Sequence, residues 1–249
     1  MIQKPSVMKL FVTGGAGYVG SHSVRALCDA GHAVVVLDNL TQGHRAALDP
    51  RATFVEAELA DTATLRTTLS EGGFDGVMHF AAHLDVGESV NDPLKYFENN
   101  VVNTIRLLTA MRDAGVKRFV FSSTCATYGE PRSMPITEDA PQNPINPYGH
   151  TKLAMEWAMR DSADAWGLGG CALRYFNAAG ASADGKIGED VTANVKTIES
   201  VPLRLEKDVD IILITHEHKD HFHLESLKVI LENNPNAVII TNRGVGKLL

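Results

Sequence analysis

Three glycines spaced three apart, Gly14, Gly17 and Gly20, separate the apolar run Leu10-Phe11-Val12 from an amphipathic stretch that begins at Tyr18. Few folds accommodate that order, which reads as strand, tight turn and helix. Glycine at these points lets the backbone turn sharply, approach a pyrophosphate with no Cβ in the way, and pack the helix against its strand. The helix N-terminus then offers N–H groups and a partial positive charge to an anion. Ordinary small turns use the same residues, so the downstream context decides. Ala33-Val34-Val35-Val36-Leu37 is a second buried-strand run, and it is closed by Asp38. A carboxylate at that distance accepts from both adenosine ribose hydroxyls and repels a 2′-phosphate, which favours NAD over NADP.

Short apolar runs alternate with longer amphipathic ones as far as Asn177, the pattern of a parallel sheet covered on both faces. Strands are predicted over 11–13, 33–38, 53–56, 76–80, 118–122 and 171–175, and helices over 18–30, 61–70, 92–114 and 148–166. The expected class is α/β with a doubly wound parallel sheet. Thr13-Gly14, Asp38-Asn39, Ala81-Ala82, Ser122-Ser123-Thr124 and Asn177 all fall at carboxyl ends of strands, the rim where open α/β sheets bind ligands.

A length of 249 residues allows one large domain or two small ones, and a net charge of −7 gives no reason to expect nucleic acid or an anionic membrane as partner. Cys28, Cys125 and Cys171 are odd in number and scattered, which fits a reducing cytoplasm. The first seven residues lack the apolar core of a secretory leader, and no stretch is long enough to span a bilayer.

The main chemical constellation is Tyr148-Gly149-His150-Thr151-Lys152, at the start of a helix. Residues four apart share a face, so the Tyr148 hydroxyl and the Lys152 ammonium can address one ligand. A nearby cation lowers a tyrosine pKa by about 1 to 3 units. The resulting phenolate could take a proton from a sugar hydroxyl while hydride leaves the adjoining carbon for a nicotinamide. Thr124, past a strand end, could bond the same hydroxyl. The alternative is an unremarkable pair on the first turn of a surface helix.

From about Lys9 to about Glu189 the chain resembles the UDP-glucose 4-epimerases of the extended short-chain dehydrogenase/reductase family. The resemblance is carried by Thr13-Gly14-Gly15-Ala16-Gly17-Tyr18-Val19-Gly20, Leu37-Asp38-Asn39-Leu40, His79-Phe80-Ala81-Ala82, Val86-Gly87-Glu88-Ser89, Asn99-Asn100-Val101, Ser122 to Gly129, Pro147 to Lys152 and Leu173 to Gly180. It implies a Rossmann domain and interconversion of UDP-glucose and UDP-galactose through a 4-keto intermediate with bound NAD. It further implies Tyr148 as the base, tuned by Lys152 and assisted by Thr124. Cofactor contacts would come from Gly14, Gly17, Tyr18, Val19 and Gly20, from Asp38, Asn39, Glu58 and Leu59, from Phe80, Ala81, Ala82 and Asn99, and from Ser122, Tyr148, Lys152 and Tyr175. Thr124, Tyr148 and Asn177 would touch the UDP-sugar, and two copies would associate through the long helices. Glu58 stands where an aspartate is expected beside the adenine. Such epimerases continue into a second, substrate-binding domain, whereas here the resemblance ends near Gly188 to Asp190.

The remainder, about 190–249, reads as a short strand-helix-strand segment of different origin. The apolar run 209–215 leads into His216-Glu217-His218-Lys219-Asp220-His221. That run resembles the signature loop of metallo-β-lactamase-fold hydrolases, in which imidazole and carboxylate ligands gather after a strand to hold zinc or a similar ion. A solvated polar turn is the alternative, and only His223 follows as a further histidine. The division expected is therefore 1–189, an NAD-binding epimerase-like domain, and 190–249, a hydrolase-like fragment whose candidate ligands are His216, His218, Asp220 and His221. The run 209–214 could also add to the edge of the dinucleotide-binding sheet.

Overall fold

The computed structural model describes residues 7–188 except 134, 179 and 183, together with 211–214 and 238–241. The chain divides into two compact units, Met1–Ala178 with Ser182–Ile187, and Ala179–Ala181 with Gly188–Leu249. In the first unit β1 (Lys9–Thr13), β2 (Ala33–Asp38), β3 (Thr53–Glu56), β4 (Gly76–His79), β5 (Arg118–Ser122) and β6 (Gly169–Leu173) form one parallel sheet in the order β3-β2-β1-β4-β5-β6. This is the doubly wound Rossmann order, in which the chain reverses direction across the sheet between β1 and β4. Val12 sits opposite Val36 on one side and Met78 on the other.

Both faces of the sheet are apolar because its strands are buried twice over. On one face Val12, Val34 and Val36 pack with Val24 and Cys28 of α1 (Tyr18–Asp29). On the other, Phe11, Leu37, Val77, Phe119 and Phe121 pack with Leu65 and Leu69 of α2 (Thr62–Gly72). Leu107, Leu108 and Met111 of α5 (Asn103–Asp113) and Met155 and Met159 of α6 (Pro147–Trp166) complete that layer. Asp61 caps α2 by accepting from the Thr64 N–H, and Gly73, at φ 61°, ends it in the left-handed conformation.

The predicted helix over 92–114 is three elements. Asp92 caps α4 (Pro93–Tyr96) with Pro93 in the first turn, a π-helical turn follows at Phe97–Val102, and α5 continues. Apolar periodicity runs through all three, so it does not reveal the extra residue in the wide turn. A short helix, α3 (Val86–Asn91), capped by Asp85, was not anticipated. The strand expected at 171–175 is Gly169–Leu173 instead, because Gly167 at φ 76° ends α6 and the Gly169 N–H at once bonds the Lys117 carbonyl at 2.7 Å.

In the second unit β7 (Ile211–Ile214) pairs in parallel with β8 (Val238–Thr241) in a two-stranded sheet of its own. The expectation that 209–214 extends the large sheet is thereby corrected. The helix expected between these two strands lies outside the described residues.

His79 is enclosed at the end of β4, 2% exposed, between the hydroxyls of Thr13 (2.6 Å from Nδ1) and Thr104 (2.8 Å from Nε2). Thr104 donates its own proton to the Asn100 carbonyl, so Nε2 carries the imidazole hydrogen and Nδ1 accepts from Thr13. Burial, with a smaller push from Lys152, lowers the ring from 6.5 to about 3. Between those values the unfolded chain binds a proton that the folded one refuses, so stability falls as pH falls through that window. Acidification from pH 7 to about 4.5 is expected to remove about 3 kcal/mol through this group. Urea titrations of the protein and of His79→Gln at the two pH values check it, the variant showing the smaller loss.

Candidate active site

At the carboxyl ends of β1, β2, β3 and β4 lies a cleft of about 330 Å³. Gly14, Leu37, Asp38, Asn39, Thr41, Gln42 and Gly43 line one part of it, and Ala57, Glu58, Leu59, Phe80, Ala81, Ala82, His83, Asn99 and Asn103 the remainder. Gly14 has φ 72°, and a Cβ there would lie 2.4 Å from the Ala81 nitrogen. At Gly20 a Cβ would lie 2.1 Å from the Gly14 carbonyl oxygen, whereas at Gly17 it would meet nothing closer than 3.4 Å. Gly20 thus serves the packing of α1 on the turn, and Gly17 leaves open space before a helix end that no side chain caps. Gly20→Ala is expected to force α1 off the turn at a cost of about 1–3 kcal/mol, read from the urea midpoint. An unchanged midpoint would refute the packing role.

Asp38 ends β2 with its carboxylate buried and oriented. One oxygen accepts from the Ala16 N–H at 2.9 Å, the other from the Leu40 N–H at 2.8 Å. The carboxylate therefore ties the glycine turn to the β2 end, and each oxygen keeps a second lone pair. Leu40 follows at φ 58°, the one non-glycine residue with positive φ among those described. Asn39 closes the bend by accepting from the Thr41 N–H.

The second cluster forms where α6 meets the end of β5. Asn146 caps α6 by accepting from the Gly149 N–H at 2.8 Å, and Pro147 occupies the first turn. Lys152, 3% exposed, donates to the Ser122 carbonyl at 2.8 Å, and its Nζ stands 4.9 Å from the Phe121 ring centre and 5.8 Å from that of Tyr148. Burial lowers the ammonium to about 7. Burial also pushes the Tyr148 phenol up to about 12, with a hydrogen bond to Thr124 acting against it and Tyr175 and Cys125 adding to it. In the free protein burial outweighs the depression of Tyr148 expected from Lys152. The two groups share one desolvated pocket, so each favours its neutral form in the free protein. Tyr175 bonds the Ser122 hydroxyl, and its carbonyl accepts from the Cys125 N–H at 3.1 Å.

The structure therefore gathers Gly14, Asp38, Asn39, Glu58, Leu59, Phe80, Ala81, Ala82 and Asn99 around the cleft. Ser122, Thr124, Tyr148, Lys152 and Tyr175 meet at the end of β5. Gly17, Tyr18, Val19 and Gly20 form the turn and first residues of α1 without lining the cleft, and Asn177 lies on the exposed stretch after β6. His216, His218, Asp220 and His221 lie outside the described residues. Among those described, no group of three or more His, Cys, Asp or Glu side chains is placed to hold a metal.

Two sets of polar residues escaped sequence reasoning. Asn100, rather than Asn99, is the buried one: its side-chain oxygen accepts from the His83 N–H at 2.8 Å and its amide donates to the His83 carbonyl at 2.9 Å and to Thr151 at 3.3 Å. It thereby fixes the chain leaving β4 and ties it to α6. Glu156, one turn beyond Lys152, accepts from Ser123, from Gln142 at 2.9 Å and from Arg174 at 2.6 Å. Its spacing of four and eight from Lys152 and Tyr148 was the available signal.

The model of the NAD dependent epimerase/dehydratase family matches residues 10–216. The chain belongs to that family. Residues 190–216, read above as the start of the tail, fall within the match. The chain is 54% identical over 194 residues to a UDP-glucose 4-epimerase of Lactobacillus helveticus, covering 78% of this chain and 59% of the relative. It is 56% identical over 183 residues to one of Lacticaseibacillus casei, covering 74% and 55%. The crystal structure of the UDP-glucose 4-epimerase from Brucella ovis in complex with NAD superposes with a TM-score of 0.72 at 49% identity, covering 74% of this chain and 56% of that one. The chain thus spans little more than half the length of the curated relatives it matches. As a member of the epimerase/dehydratase family it can hold a dinucleotide on three counts. The end of α1 is without a side-chain cap, Asp38 retains lone pairs for a diol, and the Lys152 ammonium has donors left after its bond to Ser122.

Proposed function

We propose that this chain is the NAD-binding and proton-transfer part of an enzyme that interconverts UDP-glucose and UDP-galactose, with 1–189 as its dinucleotide-binding domain. The observation that carries the reading is the meeting of Tyr148, Thr124 and Lys152 at the end of β5, with the Lys152 Nζ 5.8 Å from the Tyr148 ring centre, in a chain 54% identical to a UDP-glucose 4-epimerase. NAD, when bound, supplies the hydride acceptor and donor. The backbone at Gly14, Gly17 and the first residues of α1 receives the pyrophosphate, and Asp38 and Asn39 hold the adenosine ribose beside Glu58 and Leu59. Lys152, with Ser122 and Tyr175 behind it, holds the inner ribose. Tyr148 takes and returns the proton of the sugar C4 hydroxyl, Thr124 steadies that proton, and Asn177 meets the UDP-sugar. A phenol near 12 stays protonated at neutral pH and offers no base. A positive charge within about 4–6 Å lowers it by about 1–3 units, so Lys152 acts in its protonated form.

The same reading expects a homodimer, with the exposed Leu94, Phe97 and Trp157 of α4, the π-helical turn and α6 as candidates for the shared surface. No helix among the described residues is long and apolar enough to cross a membrane. The hydrolase reading of His216, His218, Asp220 and His221, with zinc as the ion, rests on their spacing alone.

A UDP-galactose to UDP-glucose assay on purified protein, with NAD quantified after denaturing the same sample, tests the proposal. Tyr148→Phe is expected to lower turnover by at least about a hundredfold while NAD stays bound. Unchanged turnover refutes the assigned base, and NAD without turnover in the unaltered chain leaves a dinucleotide-binding protein. Hydrolytic activity lost to a chelator would carry the metal reading instead.

A further inference from the structure

Strand β5 ends in Ser122, two more polar residues follow it, and each of the three meets a different partner on α6. The Ser122 carbonyl accepts from Lys152, the Ser123 hydroxyl donates to Glu156, and the Thr124 side chain stands beside the Tyr148 phenol. Thr124 is extended, at φ −153° and ψ 150°, and Ser123 before it reaches Glu156 on the helix that also carries Tyr148 and Lys152. The middle anchor therefore sets how the outer two stand against α6. Glu156 is itself fixed: the Arg174 Nε lies 3.0 Å from both carboxylate oxygens and one terminal nitrogen 2.6 Å from the second. The other terminal nitrogen of Arg174 donates to the Tyr128 hydroxyl and the Glu138 carbonyl, tying the pair to the segment between β5 and α6. A buried ion pair adds little net stability over apolar residues of the same volume, and its rigid fork is suited to fixing geometry.

We propose that Glu156 and Arg174 are positioning residues for proton transfer, locking Ser123 so that Thr124 meets the Tyr148 phenol while the Ser122 carbonyl meets Lys152. The inference rests on Tyr148 as the proton-transfer group. The other titratable groups around that phenol are Lys152 of α6, Cys125 after β5 and Tyr175 after β6.

The test is 19F NMR of the full chain labelled with 3-fluorotyrosine, the Tyr148 signal being assigned by its loss in Tyr148→Phe. Two variants are compared with the unaltered protein: Glu156→Gln, and Ser123→Ala, which keeps the ion pair. The Tyr148 signal is expected to move and its titration midpoint to rise in both, with kcat down about tenfold, KM within about twofold and NAD content unchanged. If Glu156→Gln does not fold, Ser123→Ala decides alone. An unmoved signal and midpoint in a folded variant overturns the proposal whatever happens to thermal stability, because a purely structural pair would leave the phenol as it was. Should the unaltered chain show no turnover, the epimerase reading fails separately and the NMR comparison still decides the positioning.

Discussion

Replacing Lys152 with methionine is expected to make the free protein more stable. Burial moves this ammonium from 10.5 to about 7, which corresponds to about 5 kcal/mol against the charged form. Methionine keeps the length of the side chain and removes that penalty, but it strands the Ser122 carbonyl, a loss of about 1–3 kcal/mol. The net gain is therefore about 2–4 kcal/mol near neutrality, visible as a higher urea midpoint at unchanged slope. Below about pH 7 folded and unfolded chains both carry the charge, and the penalty is whole. Between there and 10.5 the folded chain sheds a proton that the unfolded one retains, so the unaltered protein gains stability with rising pH and the advantage of methionine shrinks. Lower stability of Lys152→Met near neutrality would mean that the contacts with Ser122 and Phe121 outweigh burial.

Arg174→Met is expected to act in the opposite direction. The Glu156 side chain is 4% exposed, and without the guanidinium its carboxylate keeps only Ser123 and Gln142. Stranding one member of such a pair costs about 3–5 kcal/mol. Burial alone would raise the Glu156 carboxyl, and the hydrogen bonds from Arg174, Ser123 and Gln142 hold it below its ordinary value. In the unaltered protein that depression stabilises the fold above the ordinary carboxylate range and is lost as pH falls through the depressed value. In the variant burial stands largely unopposed, so the deficit narrows on acidification as Glu156 takes up a proton. Thermal unfolding at neutral and mildly acidic pH reads both effects. The double replacement Glu156→Met with Arg174→Met is expected to recover most of the loss, and failure to recover would show that the pair stabilises the fold in its own right.

Strands β2, β3 and β5 were legible to the residue because each is an apolar run bounded by sharp polarity changes, Asp38 after Leu37 being the clearest. The glycine turn was legible for the same reason that Gly14 and Gly20 admit no side chain: the backbone itself fills the space. Spacing placed Tyr148 and Lys152 on one face of α6, but spacing carries no information about depth, and depth reversed the expected shift of the phenol. Asn100, Glu156 and Arg174 escaped because polar residues in helices and after strands are usually solvated. Only the fold shows that Asn100 and Glu156 are enclosed and that their partners, His83 and Thr151 for the one and Arg174 for the other, come from far along the chain.

The π-helical turn at Phe97–Val102 gives this stretch an unusual tolerance of length. It absorbs one residue more than an α-helical turn, so Asn99 and Asn103 line the cleft while Asn100 reaches back to His83 and Thr151. Removing a single residue there would tighten the wide turn and leave the helices on either side in phase. The same deletion inside α5 would swing Leu107, Leu108 and Met111 around by about 100° and lift them from the sheet. Chain-length variation is thus confined to one turn, and its cost would fall on the asparagines rather than on the core.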